Sequence, residues 1–156
     1  MTESRLELDN EFFSDVFEAD INNIRRIVPD VFNYYENVFG SMDDRTSLEL
    51  KVILNELLIN AIKHGGREGA SHSVRLIAGM ARGDCAFIIV EDDGEGYDTA
   101  GMGVNRAVAP TTGRIDEIEE TGRGIYIVKK LCDDFMVNEK GNKVVVLKNL
   151  TGDFPE

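Results

Sequence analysis

With 156 residues, 42% of them apolar and 29% charged, the chain has the size and composition of one globular domain with one core, residues 1–156. Its formal net charge of −12 argues against a broad nucleic-acid surface, whose affinity comes from Lys and Arg. That charge still allows one polyphosphate to bind in a local nest of backbone amides. No apolar run is long enough to span a membrane, and the N-terminus MTESRLELDNEFF has no signal-like core, so a cytoplasmic protein with no membrane partner is expected. Cys85 and Cys132 are isolated and form neither a disulfide framework nor a zinc site, and His64 and His72 lack metal-ligand spacing.

In chain order, Arg5 to Asn10 alternates and predicts a first strand. Asp20 to Phe39 carries Ile21, Ile24, Ile27, Val28, Val31, Phe32, Tyr35 and Val38 at helical spacing, with a kink or break expected at Pro29. Gly40 to Asp44 connects to a second helix, which Asp44 is placed to cap. That helix runs to about His64 and stops at Gly65-Gly66. Its segment from Lys51 to Gly66, KVILNELLINAIKHGG, is apolar on nearly every side, which predicts burial all round. Glu56 and Asn60, four residues apart, project from one face of it. A buried carboxylate and amide need partners: each other, a nearby loop, or a water for Glu56 and a metal ion for Asn60.

Ser73 to Ala81 and Cys85 to Glu91 predict a hairpin turning at Arg82-Gly83-Asp84. Asp92-Asp93-Gly94-Glu95-Gly96 closes the second strand. It is either a tight acidic turn or a place where backbone comes close to a ligand while a carboxylate accepts a hydrogen bond. It is neither a dinucleotide fingerprint nor a Walker loop, lacking the third Gly and the Gly-Lys-Ser/Thr. Thr99 to Thr121, with Gly101, Gly103, Pro110 and Gly113, has little apolar periodicity and reads as a lid or a disordered stretch. Gly122-Arg123-Gly124 opens a helix running to Cys132, and a helix start with glycines is suited to phosphate. Met136 to Asn138 and Val144 to Leu147 predict a final strand pair turning at Gly141-Asn142. Strands gathered into pairs predict an α+β fold, a two-layer sandwich with a mixed, mostly antiparallel sheet and helices on one face.

Taken together, Glu56-x-x-x-Asn60, Asp92-x-Gly94-x-Gly96, a glycine-bearing lid and Gly122-x-Gly124 resemble the ATPase family shared by type II topoisomerases, histidine kinases and mismatch-repair ATPases, the GHKL or Bergerat fold. Within it, Asn60-Ala61-Ile62-Lys63-His64-Gly65 and the small size are similar to the free-standing serine kinases that act as bacterial anti-sigma factors. The resemblance implies ATP and Mg2+ as ligands. By position it makes Asn60 the magnesium ligand, Glu56 the general base and Asp92 the adenine selector. It lets Gly94 and Gly96 admit base and sugar, and sets Gly122, Arg123 and Gly124 at the phosphates. One departure is Val144, which stands where many relatives carry a Thr that supports adenine.

The implied reaction is phosphorylation of a serine on a small antagonist protein, coupled to sequestration of a sigma factor or similar regulator. A nucleotide-sensing module without transfer and a detached histidine-kinase catalytic domain are the alternatives. The resemblance also implies a homodimer, and the acidic charge argues for no nucleic-acid partner. Arg25 and Arg26, with Asn23, are the expected partner surface, as the sole adjacent basic pair in the first fifty residues.

Overall fold

The computed structural model describes residues 12–64, 72–93 and 123–151. The predicted strand at Arg5 to Asn10, the Gly65-Gly66 stop and the Thr99 to Thr121 lid lie outside the described residues. Chain order is β1 (Phe12–Glu18), a 3-10 turn (Ile21–Asn23), α1 (Ile24–Val38), α2 (Asp44–His64), β2 (Ser73–Met80), β3 (Cys85–Asp92), α3 (Gly124–Leu131), β4 (Asp134–Val137) and β5 (Lys143–Asn149). The five strands form one sheet in the order β1-β2-β3-β5-β4. Every neighbouring pair is antiparallel, so the expected mixed sheet is corrected to a wholly antiparallel one among the described residues.

Strand register sorts the side chains into two faces. Phe13, Ala78, Ile88, Val146 and Phe135 align in one row across the sheet, and Asp15, Leu76, Val90, Val144 and Val137 in the next. The central members of both rows are buried and belong to one cluster with Ile27, Val31 and Tyr35 of α1, Leu50 to Ala61 of α2, and Ile125 and Val128 of α3. The helices therefore cover this face, the two-layer arrangement expected. On the opposite face Phe12, Val16 and Met136 are exposed.

Strand β1 was not predicted at its observed place. FFSDVFE alternates, but Asp15 lies among its inward residues and Phe12 and Val16 among its outward ones, which blurs the pattern. An edge strand tolerates that mixture. Asp15 is answered by Arg26 of α1, whose Nη1 donates to Asp15 Oδ2 at 3.0 Å.

Helix α1 passes through Pro29 without a break in the assignment. Tyr35, fully buried on it, places its hydroxyl 2.7 Å from the Phe87 carbonyl and 3.3 Å from the Gly79 carbonyl. Burial, followed by neighbouring Tyr34, pushes the phenol well above the ordinary tyrosine range. It stays a donor and bolts α1 to β2 and β3.

The cap of α2 is Asp43, not Asp44: Asp43 Oδ1 accepts from Thr46 N at 2.8 Å. Hydrogen bonds from Thr46 hold the Asp43 carboxyl below its usual range. Burial all round is also corrected. Thr46, Leu50, Ile53, Leu54, Leu57, Leu58 and Ala61 form the buried stripe, whereas Val52, Ile59 and Ile62 are half-buried. The stripe recurs at three- and four-residue steps, the period of one helix face.

Lys148 of β5, 7% exposed, ties three elements together. Its ammonium donates to Glu49 Oε1 at 2.5 Å and to the Leu131 carbonyl at the end of α3 at 2.8 Å. Burial alone raises the Glu49 pKa, but the Lys148 hydrogen bond and charge, with Arg45, outweigh it and the net shift is downward. A carboxylate with a lowered folded pKa adds stability above its unfolded pKa, and that contribution is lost as pH falls through the folded value. Lys148→Met is expected to cost about 2 kcal/mol, because it takes the donor from the Leu131 carbonyl and leaves Glu49 with Arg45 alone, and to lower Tm by about 4–8 °C. The variant should also lose less stability than the wild type between neutral pH and the acid side of the glutamate range. Melting curves across that range check both.

Candidate functional site

His72, just before β2, places Nε2 3.1 Å from the Ala61 carbonyl, a contact that needs the ring proton on Nε2. It holds the last turns of α2, where Asn60 sits, to the start of β2. Val74 of β2 pairs with Asp92, and Ser73 with Asp93 through two bonds: Asp93 N to Ser73 O at 3.1 Å and Ser73 N to Asp93 Oδ1 at 2.9 Å. The end of α2 and the end of β3 therefore meet at one end of the sheet.

Asp92 continues the inward row of Ala86, Ile88 and Val90, so its side chain faces the helix layer, and it is 4% exposed. Its backbone is fixed from the β5 side by Asn142, which the sequence marks only as part of a turn. Asp92 N donates to the Asn142 carbonyl at 2.9 Å, and Asn142 Nδ2 donates to the Asp92 carbonyl at 2.8 Å. Asn138 in turn builds that turn. Its Oδ1 accepts from the backbone N–H groups of Gly141, Asn142 and Lys143 at 2.9, 3.1 and 3.1 Å, and its Nδ2 donates to Asn142 Oδ1 at 2.9 Å. Gly141 holds φ at +83°, which its lack of a Cβ permits. Two Asn residues flanking a glycine were the available signal; what they support emerges only from the fold.

Removing the Asn138 amide takes that acceptor from the Asn142 and Lys143 N–H groups, while Gly141 N keeps the Asn138 backbone carbonyl at 3.1 Å. Asn138→Ala is expected to cost about 2 kcal/mol and to lower Tm by about 4–8 °C, read by thermal melting.

Glu56 and Asn60 do share a face of α2, but both are half-buried rather than enclosed. Glu56 lies against α3. A Cβ built on Gly124 would stand 2.5 Å from Glu56 Oε1. Arg123, the residue before α3, is exposed. Gly94, Gly96 and Gly122 lie outside the described residues. The structure thus brings Glu56 together with Gly124, and Asn60 and Asp92 to one end of the domain.

Val144 is buried beneath the helix layer and pairs with Val90, two residues before Asp92. Arg25 is exposed, while Arg26 bonds Asp15 and Asn23 Nδ2 donates to the Glu18 carbonyl at 2.8 Å, so two of the three expected partner residues brace β1 against α1. Burial, then Asp133, pushes both Cys85 and Cys132 upward, keeping the thiols protonated and poor nucleophiles.

Among the described residues no group of three or more His, Cys, Asp or Glu could hold a metal ion. Asn60 offers a hard amide oxygen, which fits magnesium, an ion that keeps waters and takes phosphate oxygens for most of its shell. No helix among the described residues is long and apolar enough to cross a membrane.

A family model for the histidine kinase-like ATPase domain matches residues 17–148. The chain belongs to that family. This histidine kinase-like ATPase domain is 27% identical over 106 residues to the serine-protein kinase RsbW of Bacillus subtilis (strain 168), covering 67% of this chain and 66% of that protein. It is 28% identical over 114 residues to the anti-sigma F factor of Anoxybacillus flavithermus, covering 71% and 73%. The chain spans just under two thirds of the length of the RsbW relatives, 66% and 62% for those of Bacillus subtilis and Oceanobacillus iheyensis. Among solved structures, the RsbU and RsbW domains of Rv1364c from Mycobacterium tuberculosis superpose with a TM-score of 0.57 at 14% identity, over 92% of this chain and 33% of that one. At that identity the likeness establishes the fold.

Proposed function

We propose that this ATPase-family domain is a protein serine kinase of the anti-sigma type. It transfers the γ-phosphoryl group of ATP to a serine of a small antagonist protein and sequesters a sigma factor or similar regulator. The observation that carries the reading is the site's composition on this fold: Glu56 and Asn60 on one face of α2, Glu56 against the start of α3, and a buried Asp92 at the end of β3. The names of the relatives support the choice of acceptor.

In this mechanism Asp92 accepts a hydrogen bond from the exocyclic amine of adenine, and guanine, with a carbonyl there, is repelled. Asn60 would hold magnesium, which when bound neutralises phosphate charge. Glu56 accepts the proton of the serine hydroxyl as its oxygen bonds to the γ-phosphorus and the bond to the bridging oxygen of the departing ADP breaks. Gly94 and Gly96 serve the base and sugar, and Gly122, Arg123 and Gly124 the phosphate end. Arg25 and Arg26 belong to the surface that meets the protein partner or a second copy of the chain.

The test is incubation with γ-labelled ATP, magnesium and candidate antagonist proteins encoded nearby. Acid-stable label on serine supports the reading. Acid-labile label on histidine would instead indicate a detached histidine-kinase catalytic domain, and nucleotide binding with no label on any partner a sensing module.

A further inference from the structure

We infer that Gly124 is a positioning residue for Glu56: the absent side chain at the first residue of α3 lets the Glu56 carboxylate stand against the start of that helix. The inference rests on the catalytic reading of Glu56 for its consequence, but not for the contact itself. Among the described residues, and apart from its chain neighbours and its own helix backbone, the three heavy atoms nearest to a Cβ placed on Gly124 all belong to Glu56: Oε1 at 2.5 Å, Cδ at 3.5 Å and Cβ at 3.8 Å. A side chain at this position therefore points at the carboxylate.

Backbone conformation does not explain the glycine. Among the described residues the glycines with positive φ are Gly40, Gly83 and Gly141, so Gly124 has a backbone that alanine adopts. In a helix alanine is the better residue. What alanine could not keep is the contact.

Helix α3 is not free to step back. Ile125 and Val128 are buried in the core, and its last carbonyl, Leu131, accepts from Lys148. The flexible end of Glu56 is the part that yields. To reach ordinary van der Waals contact at 3.4 Å it must retreat by about 1 Å. Such a shift costs little in stability, yet an error of ~1 Å in a reacting group can cost on the order of 10²-fold in rate.

The test uses the full chain with magnesium and ATP, water as the acceptor, and inorganic phosphate release in single turnover as the readout. Gly124→Ala should lower the rate at saturating ATP by about 10²-fold, beyond any change in the ATP concentration for half-saturation. In the Glu56→Asp background, where the carboxylate is one methylene shorter, Gly124→Ala should cost less than about threefold, because the clash is already relieved. Equal losses in both backgrounds would overturn the positioning role. A loss confined to nucleotide affinity would overturn it too, and would mark Gly124 as a phosphate contact.

The contact is read independently of activity by the 13C signal of the Glu56 carboxyl, assigned as the one missing from Glu56→Gln. That signal should move in Gly124→Ala while the Glu36 carboxyl signal does not; an unmoved Glu56 signal would overturn the inference. Absence of phosphate release from the wild type, with the carboxyl signal still moving, would show that water does not replace the serine acceptor and would leave the contact supported by the carboxyl signal. Should Gly124→Ala unfold the domain, adding Glu56→Ala must restore folding, since it removes the obstructing carboxylate, and failure to do so would overturn the inference.

Discussion

Glu56→Gln is expected to leave magnesium-ATP binding intact and to lower phosphoryl transfer by about 10²–10⁴-fold, the range that a positioned general base contributes. Glutamine keeps the length and the oxygen that faces Gly124 but cannot take a proton at neutral pH. The side chain is half-buried, so the change strands no enclosed charge and Tm should stay within a few degrees. Rapid-quench measurement of label transfer, beside calorimetric titration of nucleotide, separates the two quantities. Transfer at the wild-type rate would remove Glu56 from the mechanism; a large loss of Tm with unchanged transfer would make it a structural residue.

Asp92→Asn is expected to weaken ATP binding by about 10–100-fold, corresponding to one lost charge-assisted hydrogen bond. It should also narrow the preference for ATP over GTP. Asparagine has nearly the volume of aspartate, and the backbone bonds to Asn142 do not involve the altered side chain, so the apo fold should persist. The wild type should melt about 5–10 °C higher with ATP at a hundred times its Kd, and GTP should give a much smaller shift. In Asp92→Asn the two shifts should converge. Equal shifts by ATP and GTP in the wild type would show that Asp92 does not read the base.

Much of this architecture was legible because the strongest signals are local. Helix α2 was predicted to run from its connector to about His64, and the described helix spans Asp44–His64, as a long apolar run of helical period leads one to expect. Which side of it is buried was not legible. Val52, Ile59 and Ile62 are as apolar as Ile53 and Leu57, and their exposure depends on where α1, α3 and the sheet happen to lie. The cap was misplaced by one residue because both Asp43 and Asp44 are competent, and only side-chain geometry distinguishes them.

The candidate site divides in the same way. Glu56, Asn60 and Asp92 were singled out as candidates from residue type and spacing together with the family resemblance. The Asn138–Asn142 brace behind Asp92 was not, because Asn142 and Asp92 are fifty residues apart. The contact between Gly124 and Glu56 was hidden for the same reason: a glycine that opens a helix reads as a phosphate signal, and nothing local says what lies opposite.

The strand order has a consequence for the time course of folding. Hairpins β2–β3 and β4–β5 join neighbours in sequence, whereas β1 must wait for β2, and β3 for β5. The bonds that tie the helices to the sheet are also distant in sequence: 52 residues from Tyr35 to Phe87 and 99 from Glu49 to Lys148. Loop-closure entropy is lost before such contacts repay it, so the two hairpins are expected to form early and the N-terminal edge strand late. Pulse-labelled amide exchange during refolding should protect Ile88 before Phe17. On a ribosome, β1 and α1 emerge first yet have no sheet to join until β2 appears, which leaves their apolar residues waiting through the whole synthesis of α2.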